Sequence, residues 1–216
     1  MLNFPFTHKK SGYKILCLGA HCDDIEIGCG GTLIKLMENY PIDFVKWVVF
    51  ASTEVRKQEA ITSANAFLEN AKEKEIVVLD YRDAFLGYSG IEIKEKFEVI
   101  KKDINPDLIL THYRDDRHQD HRLLSDFTWN TFRQHLILEY EIPKFDGDLG
   151  IPNFFIQLNE VQVNRKIQII LDSFKSQAEK HWFDKETFQA LMRIRGLESA
   201  CLNKYAEAFY ARKVIL

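Results

Sequence analysis

Residues 13–32 read YKILCLGAHCDDIEIGCGGT, and the parsing of the whole chain follows from this stretch. Tyr13 to Leu18 is a short apolar run ending in Gly19, the pattern of a buried strand; Thr32 to Tyr40 has helical spacing, with Leu33, Leu36 and Met37 on one side. The order is strand, polar loop, helix. It repeats outward. A second strand, Asp43 to Ala51, leads through Ser52-Thr53-Glu54 into a helix to about Asn70, with Ala60, Ala64, Phe67 and Leu68 as its inner face. Glu75 to Leu79 is a third strand, Ile91 to Ile104 a surface helix stopped by Asn105-Pro106, Asp107 to Thr111 a fourth strand, and His121 to Gln134 a helix after it. Strands alternating with helices imply right-handed crossovers and a parallel sheet, so residues 13–135 are expected to form a doubly wound α/β layer.

Beyond residue 135 the rhythm changes. Leu136 to Ile142 and Phe154 to Leu158 read as strands joined by a turn-rich stretch, expected as antiparallel or edge additions. Helices follow at about Val161 to Phe174 and Lys185 to Glu198, and YAEAFYARKVIL closes the chain.

Composition narrows the class. With 216 residues, 46% apolar and 28% charged, the chain is expected to be an ordinary soluble globular protein burying roughly 70% of its unfolded surface, without staples. The four cysteines, Cys17, Cys22, Cys29 and Cys201, form no CxxC pair, which suits a reducing cytoplasm. No apolar run approaches about eighteen residues, and MLNFPFTHKKSG lacks the features of a signal peptide. Neither a membrane nor export is expected. The net charge is −3, and the 10 basic against 6 acidic residues in 161–216 are too mild an excess to indicate nucleic acid.

All strands of a parallel sheet end at one edge, so the loops after strands one to four share a rim, the usual place for a ligand. Polar residues concentrate there: His21, Asp23, Asp24 and Glu26; Ser52, Thr53, Glu54 and Arg56; Asp80, Arg82 and Asp83; His112, Asp115, Asp116, His118, Asp120 and His121. Imidazole and carboxylate are what Zn²⁺ takes where thiolate is not offered, and a catalytic site keeps three protein ligands and a water. His21, Asp24 and His121 would supply such a set. Asp23, beside a ligand, is left to act on the water as general base. His118 and His121 stand three apart at a helix start, so one can bind metal while the other reaches substrate. Asp120 between them can fix a ring tautomer and raise imidazole basicity.

Bland readings stand beside these. An isolated Asp-Asp or HxDH is commonly a cap or a solvated turn; both at equivalent ends of two strands of one sheet argue for chemistry. Arg56 and Glu59 are either an exposed i, i+3 pair or, for Arg56, a substrate contact, and Asp83 stands equally open. His8, His135 and His181 are isolated and read as surface or packing residues. The cluster Gly28-Cys29-Gly30-Gly31 fails as a dinucleotide loop, because Asp23, Asp24 and Glu26 precede it and would repel phosphate. Gly30 and Gly31 are expected to make a tight turn, with Thr32 as helix cap.

GAHCDDIEIGCGGTL, at 19–33, resembles the first motif, (A)HPDDxExGxGGT, of the LmbE-like or PIG-L-type zinc-dependent N-deacetylases, and HYRDDRHQDHR, at 112–122, resembles their second, HxxxDxHxDH. Further likeness lies in Arg56 with Glu59, in Asp83, in PNFFIQL, in KSQ at 175–177 and in YAEAF at 205–209. The resemblance implies a Rossmann-like three-layer α/β/α fold with a mostly parallel sheet, as a single domain over 1–216. It makes His21, Asp24 and His121 ligands of Zn²⁺, or of another divalent metal such as Fe²⁺, and Asp23 the general base. His118 becomes the acid that stabilises the oxyanion and protonates the leaving amine, with Asp120 tuning it, while Arg56 and Asp83 hold substrate. The implied substrate is a small N-acetylglucosamine-type sugar or conjugate, and homo-oligomers are common in the family. Cys22 stands where the family usually has proline, next to a metal ligand, where a thiol is open to oxidation or competes for metal. Two alternatives are an amidohydrolase acting on a non-sugar or thiol-conjugate amide, and a binding module of the same fold without turnover. An amine-release panel separates them.

Overall fold

The computed structural model describes residues 12–214; His8 and the N-terminal stretch read above lie outside the described residues. Strand β1 (Tyr13–Gly19) is apolar without a break from Ile15 to Leu18 because that part is buried on both faces: Ile15 and Cys17 enter one apolar cluster, Leu16 and Leu18 the other. Around it lie β2 (Ile42–Ala51), β3 (Glu73–Tyr81), β4 (Leu108–His112), β5 (Leu136–Tyr140), β6 (Phe154–Leu158) and β7 (Tyr205–Ala211), in the order β3-β2-β1-β4-β5-β7-β6. β1 to β5 pair in parallel, and β7 runs antiparallel between β5 and β6. The expectation for 136–142 is corrected here. β5 extends the parallel sheet, because the preceding helix supplies the crossover that a parallel neighbour needs.

Among the described residues, six α-helices make the outer layers. α1 (Asp24–Asn39), α2 (Glu54–Phe67), α5 (Glu160–Ser173) and α6 (Lys185–Glu198) build one apolar cluster with the sheet, and α3 (Gly90–Asp103) and α4 (Gln119–Thr131) build the other. Trp47, Phe67 and Tyr140 in the first cluster and Phe50 and Phe97 in the second are fully buried, each contributing about 1.5–3 kcal/mol relative to exposure. The result is the three-layer, mostly parallel architecture expected. Among the described residues no helix is long and apolar enough to cross a membrane.

The first helical turn of α1 begins at Asp24, before the expected Thr32, and the helix then breaks at Cys29, inside the glycine run read as a turn. Glycine disfavours a helix interior. Here packing overrides propensity: a Cβ at Gly28 would lie 2.2 Å from the Tyr140 ring, and one at Gly30 2.7 Å from that of Phe67. The side-chain oxygen of Thr32 caps nothing and has no partner.

The strand order reverses at β1. The chain winds outward through β2 and β3, then returns to the far side of β1 to lay down β4. α1 therefore leaves over one face and α4 over the other, and the loops after β1 and β4 part to leave a crevice at the sheet edge. That crevice holds the site.

Candidate metal centre and active site

The β1–α1 loop brings His21 and Asp24 to the crevice, and the start of α4 brings His121. His21 Nδ1 lies 3.3 Å from Asp24 Oδ2 and 3.2 Å from His121 Nε2, and the latter two atoms are 3.6 Å apart. Ligands at about 2.0–2.1 Å in a tetrahedral shell stand about 3.3 Å from one another, so the three atoms have the spacing of one ion's ligands. His21, Asp24 and His121 are thus brought together, across 100 residues of chain in the case of the two histidines.

Each imidazole is steered through its other nitrogen. Asp120 Oδ2 lies 3.3 Å from His21 Nε2, with Asp120 Oδ1 accepting from the Leu86 amide at 3.2 Å. Asp116 Oδ2 lies 2.9 Å from His121 Nδ1 and takes Lys144 Nζ at 2.8 Å. Carboxylates in these positions fix tautomer and ring angle and make the ligand nitrogen more basic. Asp24 Oδ2 in turn accepts from the His21 amide at 2.6 Å. Burial opposes charge on both His21 and Asp24, yet the neighbouring groups win: the carboxylates of Asp24, Asp120 and Asp83 hold His21 well above the ordinary imidazole range, and His121, His112 and His21 hold Asp24 well below the carboxylate range. Asp116 is buried too, and the His121 and Lys144 contacts hold it far below the usual value.

The remaining residues sort themselves by contact. Asp23 lines the cleft beside the ligand cluster, and its Oδ1 is held 3.0 Å from Arg56 Nη2. Arg56 sits with its guanidinium carbon 5.2 Å over the Phe174 ring. Glu59 does not pair with Arg56; it accepts from the Ser176 amide and hydroxyl at 2.7 and 2.6 Å, tying α2 to the KSQ turn. Asp83 is mostly exposed, its Oδ1 3.0 Å from His21 Nε2. His118 lines the cleft with its ring centroid 4.8 Å from that of His21. Burial, then His121 and His21, push its pKa below the ordinary imidazole value, and its Nδ1 accepts the Asp120 N–H at 3.3 Å. With Nδ1 accepting, the ring proton of neutral His118 is on Nε2, and the lowered pKa favours that neutral form.

Two sequence expectations change. The Asp120 carboxylate was expected to tune His118; its charge does favour the protonated His118 ring, but its hydrogen bond goes to His21, and it meets His118 only through its backbone N–H. Cys22 belongs to none of the metal-capable groups among the described residues, and burial pushes its thiol up to about 12, leaving it a poor ligand. His181 is exposed, as expected, and packs its ring 5.4 Å from that of Phe145 at the rim of the cleft. His135 does bond at the surface, to Asn105.

Sequence reasoning gave no role to His112, Asp116 or Lys144. His112 is fully buried, stacks on His121 at 3.9 Å, accepts the Ala20 amide at 2.9 Å and is driven down to a pKa of about 4, chiefly by burial. His112 and Asp116 both lie inside the second motif, so spacing could have found them. Lys144 has no local signal. It is supplied by the segment after β5, which with Gln177 to Trp182 closes a cleft of about 970 Å³ over the site. Pockets of roughly 300–1,000 Å³ take a drug-sized ligand, so this one has room for more than a single sugar ring.

Comparison with known proteins gives the same picture. Residues 16–132 match the family of GlcNAc-PI de-N-acetylases, PIG-L. The diacetylchitobiose deacetylase of Thermococcus kodakarensis is 30% identical over 136 residues, 56% of this chain and 48% of that protein, so the match spans about half the length of that relative. Among solved structures, the N,N'-diacetylchitobiose deacetylase from Pyrococcus horikoshii superposes with a TM-score of 0.69 at 22% identity, covering 93% of this chain and 84% of that one. The 4-carboxy-2-hydroxymuconate hydratase from Pseudomonas putida does so with 0.69 at 15% identity, covering 94% and 98%. At these identities the two structures speak for the fold alone, and the fold serves more than one reaction.

Proposed function

The chain belongs to the GlcNAc-PI de-N-acetylase (PIG-L) family, and on that premise we propose that it is a metal-dependent hydrolase, a single domain that removes the acetyl group from an N-acetylglucosamine-type sugar or sugar conjugate. The observation that carries this reading is the spacing of His21 Nδ1, Asp24 Oδ2 and His121 Nε2, at 3.2 to 3.6 Å, with Asp23 beside them in an open cleft. The donor set of two imidazoles and one carboxylate suits Zn²⁺ or Fe²⁺. When bound, such an ion would polarise the acetamide carbonyl and lower the pKa of a water toward 7.

The chain's own groups do the rest. Arg56 aims the Asp23 carboxylate by holding Oδ1, so that Asp23 accepts the proton of the attacking water and passes it to the amine nitrogen as the C–N bond breaks. His118 offers its Nε2 proton as a hydrogen bond to the carbonyl oxygen while charge develops there, a contribution of roughly 3–4 kcal/mol where single donors have been removed elsewhere. This narrows the role drawn from the resemblance, in which His118 also protonates the amine. The lowered pKa of His118 disfavours the imidazolium that such a transfer needs, and Asp23 already carries a proton. Asp83 and Arg56 face the cleft and are placed to meet substrate hydroxyls. The four cysteines are free thiols, which suits a reducing, cytoplasmic setting.

The test is an amine-release assay on N-acetylglucosamine, its phosphates, nucleotide conjugates and glycosides, with non-sugar acetamides alongside. Equimolar amine and acetate from at least one sugar is expected, with Asp23→Asn slowed at least 100-fold while retaining metal. Release from non-sugar amides only would move the substrate class. No release from any amide by metal-loaded protein would leave a binding module.

A further inference from the structure

α1 is two helical segments. Cys29, at φ −146° and ψ 16°, breaks it after Gly28. An unbroken ladder would pair the Gly31 amide with the Ile27 carbonyl. Instead Glu207 on β7 accepts from the Gly31 amide at 2.8 Å and the Thr32 amide at 2.6 Å, and the Ile27 carbonyl accepts from Lys166 Nζ on α5 at 2.6 Å. Lys166 Nζ also donates to Glu207 Oε1 at 2.6 Å. A buried ion pair is spliced into the helix, taking over the groups freed by the break.

Burying such a pair is costly unless its hydrogen bonds are complete, and here they nearly are: three donors meet the carboxylate and two acceptors meet the ammonium. The carboxylate also lies at the N-terminal end of the second segment, where the helix dipole favours an anion. The side chains reach this position because residues 30 and 31 are glycines; a Cβ on Gly31 would stand 3.0 Å from Glu207 Oε1.

The first segment, Asp24 to Gly28, is little more than one turn. A single turn does not hold its own geometry, since nucleating it costs more than one hydrogen bond returns. It must be held from outside, and it carries Asp24. Tyr140 packs against Gly28 on one side. The Lys166 grip on the Ile27 carbonyl is on the other.

We propose that Lys166 and Glu207 are positioning residues for the metal centre, setting the angle at which the first turn of α1 presents Asp24. This rests on the metal-dependent reading above. Both residues lie outside the family-matched stretch 16–132, so the C-terminal third reaches under the site to aim a ligand it does not itself supply.

The experiment uses full-length Glu207→Gln and Lys166→Met proteins. Zn²⁺ affinity is measured by chelator competition well below the unfolding temperature, together with kcat and KM on the best substrate. Folded variants are expected to bind Zn²⁺ about tenfold or more weakly, as when groups orienting a ligand are removed, with kcat reduced and KM little changed. Wild-type affinity in folded variants whose only defect is a lower melting temperature would reduce the pair to a packing element and overturn the proposal. If wild-type protein itself binds no Zn²⁺, the metal reading falls and this proposal with it. Should both variants fail to fold, amide exchange in the wild type decides. Coupling between sites is reciprocal, so Zn²⁺ must slow exchange at Gly31 and Thr32; equal rates with and without Zn²⁺ contradict the proposal.

Discussion

At the scale of single residues, the chemistry turns on which nitrogen of each imidazole is engaged. His21 and His121 each point one nitrogen at the shared centre and the other at a carboxylate, Asp120 or Asp116. His118 instead accepts a backbone N–H through Nδ1 and keeps its proton on Nε2. Its pKa is lowered, chiefly by burial, which favours the neutral ring over the imidazolium. The rate is therefore expected to show no descending limb between pH 6.5 and 8 that depends on His118, while His118→Ala still lowers kcat about 100-fold through loss of the donor. A descending limb in that range, present in the wild type and absent in His118→Ala, would restore the proton-donating role. His21, Asp24 and His121 were legible in the sequence because polar residues at the ends of parallel strands have one edge to share. The partner of Asp120 was not. Nearness in sequence pointed to His118 two positions away, whereas the fold brings in His21 from 99 positions away.

At the scale of elements, the glycine run of α1 was read in part: the chain does break there, at Cys29, but a helical turn precedes the break. Glycines after a strand read as a turn by propensity, and only the contacts with Tyr140, Phe67 and Glu207 reveal that they let a helix lie against its neighbours. Gly28→Ala tests this, since its Cβ would fall 2.2 Å from a buried ring. Helix propensity alone would make alanine stabilising by nearly 1 kcal/mol. The packing clash is expected to dominate, with a net loss of roughly 1–3 kcal/mol in denaturant-induced unfolding. A stabilised Gly28→Ala would show that Tyr140 moves aside freely. The strands were read well because their apolar runs are buried on both faces. β5 was misassigned because its strand direction depends on the α4 crossover and on nothing in its own five residues.

At the scale of the whole molecule, topology makes the site and the C-terminal third completes it. Reversal of strand order at β1 opens the crevice between α1 and α4. Lys144, His181 and Trp182 then roof the cleft, and Lys166 with Glu207 braces the turn beneath it. Of these residues the sequence pointed only to Glu207, inside YAEAF; Lys144, Lys166, His181 and Trp182 sit far from both metal motifs and carry no spacing signal. Because the proposed chemistry rests on one ion, metal binding is the measurement of most consequence: Zn²⁺ stoichiometry and affinity for the wild type beside Asp24→Ala and His121→Ala, each with folding checked by circular dichroism. One tight equivalent per wild-type chain is expected, lost in both folded variants. Equal retention of Zn²⁺ by all three proteins, or none by the wild type, would contradict a centre built from the loops after β1 and β4.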